Sequence, residues 1–112
     1  MKNINNYNNI KTMEVKIQQE ATETVVYING RVDTVTASDL EMKVSPLFKE
    51  SGLTLVFDCA DLEYVSSSGL RIILTAHKMV SAKGGKFILR NLSKEVRQVI
   101  DLTGFSRILA IQ

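Results

Sequence analysis

A chain of 112 residues with 45% hydrophobic and 23% charged residues has the length and balance of one folded domain, which excludes a chain disordered throughout. Fourteen Lys and Arg against twelve Asp and Glu give a net charge of +2, spread along the chain without blocks, a balance that points to neither nucleic acid nor membrane surface as partner. The single cysteine, Cys59, can form no internal disulfide and fits a reducing compartment; no apolar run reaches the roughly 18 residues of a membrane span, and no apolar core follows the N-terminal lysine, so a cytoplasmic location is expected.

Asn3, Asn5, Asn6, Asn8 and Asn9 crowd the first twelve residues, which offer little to bury and are expected to form a loose segment, 1–12, ahead of a domain at 13–112. Met13, itself a candidate start, opens a half-buried strand in which Val15 and Ile17 alternate with Glu14, Lys16 and Gln18. The β-branched and aromatic stretch Thr24 to Asn29 predicts a second strand, paired with the first as an antiparallel hairpin, and Gly30 lets the chain leave the sheet. Thr36 followed by Asp39 reads as a helix cap with its reciprocal acid, and Ala37, Leu40, Val44, Leu47 and Phe48 recur at helical spacing. Pro46 falls inside that pattern and predicts a bend or loosening near Ser45. Leu53 to Phe57 has the length and flanks of a buried strand, with Cys59 just beyond it as a small core residue. Leu70, Ile72, Ile73, Leu74, Ala76, His77, Met79 and Val80 predict a second helix running to Ala82 and stopped by Gly84-Gly85, with Met79 as core filler. Phe87 to Leu89 is a further strand. Ser93 caps a third helix carrying Val96, Val99 and Ile100 and ending before Gly104, and Ile108 to Ile111 forms the last strand. The order is ββαβαβαβ. It predicts a small α/β domain with a mixed, mainly parallel sheet, an N-terminal antiparallel hairpin and three main helices.

In such sheets functional groups gather where strands end and helices begin, here at Gly30-Arg31-Val32-Asp33-Thr34 and along Asp58 to Val65 into YVSSSGLR, residues 64–71. One hydroxyl, that of Ser66 or Ser67, is enough to cap a helix, a role worth about 1 kcal/mol. Three serines with Gly69 after the last leave room for an exposed hydroxyl that another molecule can approach. A catalytic serine is not supported: the one histidine, His77, lies nine residues beyond Ser68, about 13–14 Å along a helix and half a turn out of phase. One His and one Cys make no metal site, and Lys83-Gly84-Gly85-Lys86 follows a helix, where the dipole has the wrong sign to grip phosphate. No catalysis, metal or cofactor is therefore expected of this domain. His77 reads as a packing or surface residue, and Asp58 either caps the following loop or faces a partner.

Four segments together resemble the STAS family, specifically its small single-domain bacterial branch of anti-sigma factor antagonists. They are Gly30-Arg31-Val32-Asp33 in place of the family's Gly-x-[Leu/Val/Ile]-Asp, Asp58 at the end of the third strand, Ser66-Ser67-Ser68-Gly69-Leu70 in place of Asp-Ser-Ser-Gly-Leu, and Leu102-Thr103-Gly104-Phe105 near the end. The resemblance runs from about Met13 to Ile111. It departs from the pattern at Ser66, where aspartate stands in the best-known antagonists, and at Arg71, where a small residue is frequent.

The resemblance implies a phosphorylation switch. The serine before the glycine maps onto Ser68 as the acceptor, with Ser67 and Ser66 as alternatives. Its kinase would be the anti-sigma factor itself, which the unmodified protein captures and the phosphorylated protein releases until a serine phosphatase resets it; ATP belongs to the kinase. A partner-binding surface is implied at Arg31, Asp33, Thr34, Asp58, Ser66, Ser67, Gly69, Leu70, Arg71 and Ile72. The other reading is a constitutive STAS interaction subunit of a lipid-transport or signalling scaffold complex, indifferent to phosphate.

Overall fold

The computed structural model describes residues 12–112, so the Asn-rich stretch of the expected 1–12 segment lies outside the described residues, Thr12 excepted. The chain runs β1 (Met13–Gln19), β2 (Thr24–Val32), α1 (Thr36–Val44), a 3-10 turn at Ser45–Lys49, β3 (Thr54–Asp58), β4 (Leu62–Val65), α2 (Ser67–Ala82), β5 (Lys86–Arg90), α3 (Lys94–Thr103), a 3-10 turn at Phe105–Arg107, and β6 (Ala110–Ile111). β1 and β2 form the expected antiparallel hairpin, and β2, β3, β5 and β6 follow in parallel across the sheet. This is the mixed, mainly parallel α/β sheet that the sequence predicts.

β2 is the strand on which the rest is registered. Its first half, Thr24 to Tyr27, pairs with β3, and its last residues, Gly30 to Val32, pair with β4, so that β3 and β4 lie one after the other along the same side of it. β4 has no counterpart in the sequence reading. Four residues are too few to display a period, and only Leu62 and Val65 of them are buried. β2 passes from one partner to the other between Tyr27 and Gly30, and the β2–β4 register itself shifts between Gly30 and Arg31. Gly30 sits at φ +100°, donates its amide to the Asp61 carbonyl, and carries its α-carbon so close to the Thr12 carbonyl that a side chain there would collide with it.

Alternate residues of the strands face the helices. Val26 and Ile28 of β2, Leu55 and Phe57 of β3, and Phe87 and Leu89 of β5 join Ala37, Leu40 and Val44 of α1, Ile72, Ile73, Ala76 and Val80 of α2, and Val96 and Ile100 of α3 in one core. Phe57 and Phe87 meet edge to face at 4.8 Å between ring centres, a favoured aromatic geometry. Cys59 is fully buried in the same core, and burial pushes its thiol pKa up to about 12, which leaves it unreactive.

The helix ends follow ordinary capping rules, with one change from the expected pairing. Ser93 Oγ accepts from the Val96 amide at 3.1 Å, and α3 ends on Gly104 at φ 79°. At α1 the reciprocal pair is Asp33 with Thr36, not Thr36 with Asp39: Asp33 Oδ1 accepts from the Thr36 amide, and Thr36 Oγ1 accepts from the Asp33 amide, each at 2.9 Å. Asp39 instead pairs with Lys43 at 3.2 Å, one turn along the surface. Pro46 ends the α-helix at Val44 and the chain continues as a 3-10 turn, the loosening expected near Ser45. Met79 is 42% exposed and is not core filler. The last strand is shorter than expected, because the 3-10 turn after Gly104 takes the chain to Arg107 and leaves Ile108 outside the sheet and exposed.

α2 is seated on the strands through its first turn. The Ser66 amide donates to the Val32 carbonyl at 2.8 Å, and a β-carbon on Gly69 would fall 2.6 Å from Val65 Cγ2 and 2.8 Å from Val32 Cγ1. Both glycines give stability predictions. Gly30→Ala is expected to lower the unfolding free energy by about 1–3 kcal/mol, through backbone strain and the Thr12 collision. Gly69→Ala is expected to lower it by a similar 1–3 kcal/mol or so through overpacking, since only side-chain atoms have to yield. Urea unfolding of each variant against the parent chain measures both, and an unchanged midpoint contradicts the packing described.

Candidate functional site

The ends of β2 and β4 and the starts of α1 and α2 meet at one end of the sheet. Two local devices hold them there. After Val32 the chain makes the Asp33 turn, in which Asp33 Oδ1 accepts from the amides of Val35 and Thr36 at 2.9 Å each, while Thr36 Oγ1 donates to the Arg31 carbonyl at 2.7 Å. The bond from the Thr36 amide, with those from the Thr36 hydroxyl and the Val35 amide and the charge of Arg31, holds the Asp33 carboxyl below its ordinary pKa of 3.8. At the start of α2, Ser66 is the N-cap in extended conformation, and its Oγ accepts from the Gly69 amide at 3.3 Å.

These contacts sort the residues expected at the site into two groups. Gly69, Leu70 at 6% and Ile72 at 0% exposure are packed inward, so they do not form the partner surface expected of them. They hold α2 against Val32 and Val65 instead. Gly69 is needed for close packing within the domain, which replaces the expectation that it opens a hydroxyl to an outside molecule. Ser67 and Arg71 are exposed and Ser68 is half-buried, and among the described residues the hydroxyls of Ser67 and Ser68 have no hydrogen-bond partner. Of the three serines one caps and two are free.

Asp58 also proves structural. It is 7% exposed; Oδ1 accepts from the Ala60 amide at 3.0 Å, and Oδ2 accepts from Arg90 Nε at 3.0 Å and from Asn91 Nδ2 at 3.2 Å. Of the two readings open for Asp58, the geometry supports the loop cap, with Arg90 as its counter-ion, and the carboxylate is not presented to a partner. Arg90 also reaches Glu23 at 3.4 Å, and the hydrogen bond and charge of Asp58 raise its pKa further. This network ties β3 to β5.

At this end of the sheet Thr34 is exposed in the turn before α1, and two arginines are exposed, Arg31 on β2 and Arg71 on α2. Arg31 lies over the Tyr64 ring, 4.4 Å from its centre, across the β2–β4 pairing. Arg71 reaches back to Glu41 of α1 at 3.8 Å, with 62% of its side chain exposed. Val35, just before α1, and Met42 on it are 80% and 74% exposed. Glu41, Val35 and Met42 were not identified from the sequence, and Tyr64 stood there only as part of the junction, without its contact to Arg31. The Arg31–Tyr64 alignment depends on β4, and the exposed apolar pair is evident only once the inward face of α1 is known.

Elsewhere, His77 is half-buried on α2 and its Nδ1 has no partner among the described residues. A depression of about 590 Å³ lies across β1, β2 and the β3 end, lined by Lys16, Tyr27, Asn29 and Asp58 among others and by none of the serines. Among the described residues no cluster of three or more His, Cys, Asp or Glu could hold a metal ion, and no helix is long and apolar enough to cross a membrane.

The comparisons with known proteins bear on the family and the fold. The STAS domain model matches residues 12–112. The anti-sigma-B factor antagonist of Bacillus subtilis is 33% identical over 99 residues, covering 88% of this chain and 90% of that one. Among solved structures, an anti-sigma factor antagonist from Mycobacterium paratuberculosis superposes with a TM-score of 0.80 at 25% identity, covering 88% of this chain and 84% of the other. The Bacillus cell fate determinant SpoIIAA, in its phosphorylated form, shares the fold with a TM-score of 0.69 at 21% identity over 88% of this chain and 91% of its own. With the family model matched from Thr12 to the last residue and a relative this similar along most of both chains, the chain belongs to the STAS domain family.

Proposed function

We propose that this protein is an anti-sigma factor antagonist that binds its anti-sigma factor when unmodified, and that phosphorylation of Ser68 switches it off. The observation that carries the reading is the division of labour at the head of α2. Ser66 is occupied as the cap, while the hydroxyls of Ser67 and Ser68 have no partner among the described residues and share the start of α2 with the exposed Arg71. The names of the relatives support the antagonist role, and the position of Ser68 before Gly69 supports it as the acceptor. The chain's own part is binding. The partner would be the serine kinase and supply ATP, a serine phosphatase would reset the switch, and both would act in the cytoplasm.

The chemistry of the modification favours an effect at the interface. A phosphoserine carries nearly two negative charges at pH 7, and the first turn of a helix is where negative charge is tolerated or favoured. Ser68 lies in that turn. Its modification therefore has little reason to unfold α2, while a dianion desolvated against a surface shaped for a hydroxyl opposes binding. Asp58 adds no free charge there, being matched to Arg90.

A pull-down from native cytoplasm with ATP and intact-mass readout tests the reading. The parent chain is expected to capture a kinase-like partner and gain one phosphate, and Ser68→Ala to capture it without gaining one. Ser68→Asp is expected to lose it while its unfolding free energy stays within about 0.5 kcal/mol of the parent. A partner retained by all three chains contradicts the switch and points to the constitutive interaction subunit. A large stability loss in Ser68→Asp contradicts the interface mechanism.

A further inference from the structure

We propose that Arg71 is the internal counter-ion of a phosphate on Ser68, and that on modification it leaves Glu41 for that phosphate. The inference rests on the reading of Ser68 as acceptor and says where within the molecule the added charge is met. Residues three apart on an α-helix share a face about 4.5 Å apart along the axis, so Arg71 stands one turn behind Ser68 on α2. The acid lies N-terminal to the base, the favourable order along a helix.

Both groups are available. Arg71 is 62% exposed, and its ion pair with Glu41 is long at 3.8 Å, a contact that contributes little in water and is easily exchanged. The Ser68 hydroxyl has no hydrogen-bond partner among the described residues, whereas Ser66 is committed to the Gly69 amide. A phosphate offers nearly two charges and three acceptor oxygens to a planar guanidinium, a better match than one distant carboxylate. The other charges on the strand ends and turn beneath this end of α2 are engaged or solvated: Arg31 lies over Tyr64, Asp33 accepts from its own turn, and Glu63 is exposed on β4. The exchange masks a cation that an unmodified protein offers to a partner and frees Glu41 on α1, so that one modification alters the surface of two helices.

The test uses the full chain with phosphoserine installed at position 68 during translation, so no kinase is required. A phosphorus NMR titration reads the second ionisation of the phosphate. A nearby cation favours the dianion, so the parent phosphoprotein is expected to titrate a few tenths of a pH unit below its R71Q variant. E41Q, which frees Arg71 in advance, is expected at or below the parent, and the Arg71 Nε–H resonance is expected to shift between unmodified and modified parent chains. Coincident titration curves for parent and R71Q overturn the proposal. Failure of the Ser68 reading itself shows elsewhere, as a captured partner indifferent to Ser68 in the pull-down.

Discussion

The seat of α2 on the ends of β2 and β4 is the contact on which the rest of the structure depends, and it exists because position 69 has no side chain. With Gly69 above Val32 and Val65, the helix start comes close enough for the Ser66 amide to reach the Val32 carbonyl at 2.8 Å. That single approach fixes the rotation of a 16-residue helix. Leu70, Ile72, Ile73, Ala76 and Val80 then fall on the core side, Ser67 and Arg71 are exposed, and Ser68 is half-buried at the edge between them. A helix held less closely would have no defined outward face at its first turn.

The same constraint explains how the polar groups are divided. Two carboxylates near the site serve the architecture: Asp33 closes the turn into α1, and Asp58 is buried against Arg90, where a carboxylate without its counter-ion would be costly. Ser66 satisfies one of the unpaired amides at the helix start. The side chains left over at the head of α2 are two hydroxyls and one weakly held guanidinium. Groups on which folding makes little demand are the ones available for recognition.

How far the sequence is legible follows from the same distinction. Periodicity located the hairpin, the three helices and the buried strands, because each presents a repeated apolar face, and Pro46 and Gly104 marked real ends. β4 was not legible, since four residues with two buried ends carry no period of their own and exist as a strand only beside the end of β2. Two positions at the site show one limit of the sequence. Asp58 and Gly69 lie in motifs that resemble a functional pattern, and sequence alone cannot tell a residue that builds a surface from one that belongs to it. Asp58 is separated from the surface by Arg90 and Asn91, which lie 32 and 33 residues further along the chain, and Gly69 by strand side chains whose closeness follows from the β2–β4 pairing. Long-range contacts decided both.

The serines differ for a local reason, and it bears on how a switch can work here. Successive positions at a helix start do different jobs: the cap residue turns its hydroxyl back onto the third amide, and the next two hydroxyls have no hydrogen-bond partner among the described residues. Charge added at Ser66 would disturb the cap. Charge added at Ser68 meets an end of the helix that already favours it and an arginine one turn on. On its inner side the same turn is fully packed by Gly69, Leu70 and Ile72, leaving no room for a modification to be accommodated by inward movement. A phosphate at this position would therefore be expressed outward, through what the surface attracts or repels, because the packed inner face gives it nowhere else to act.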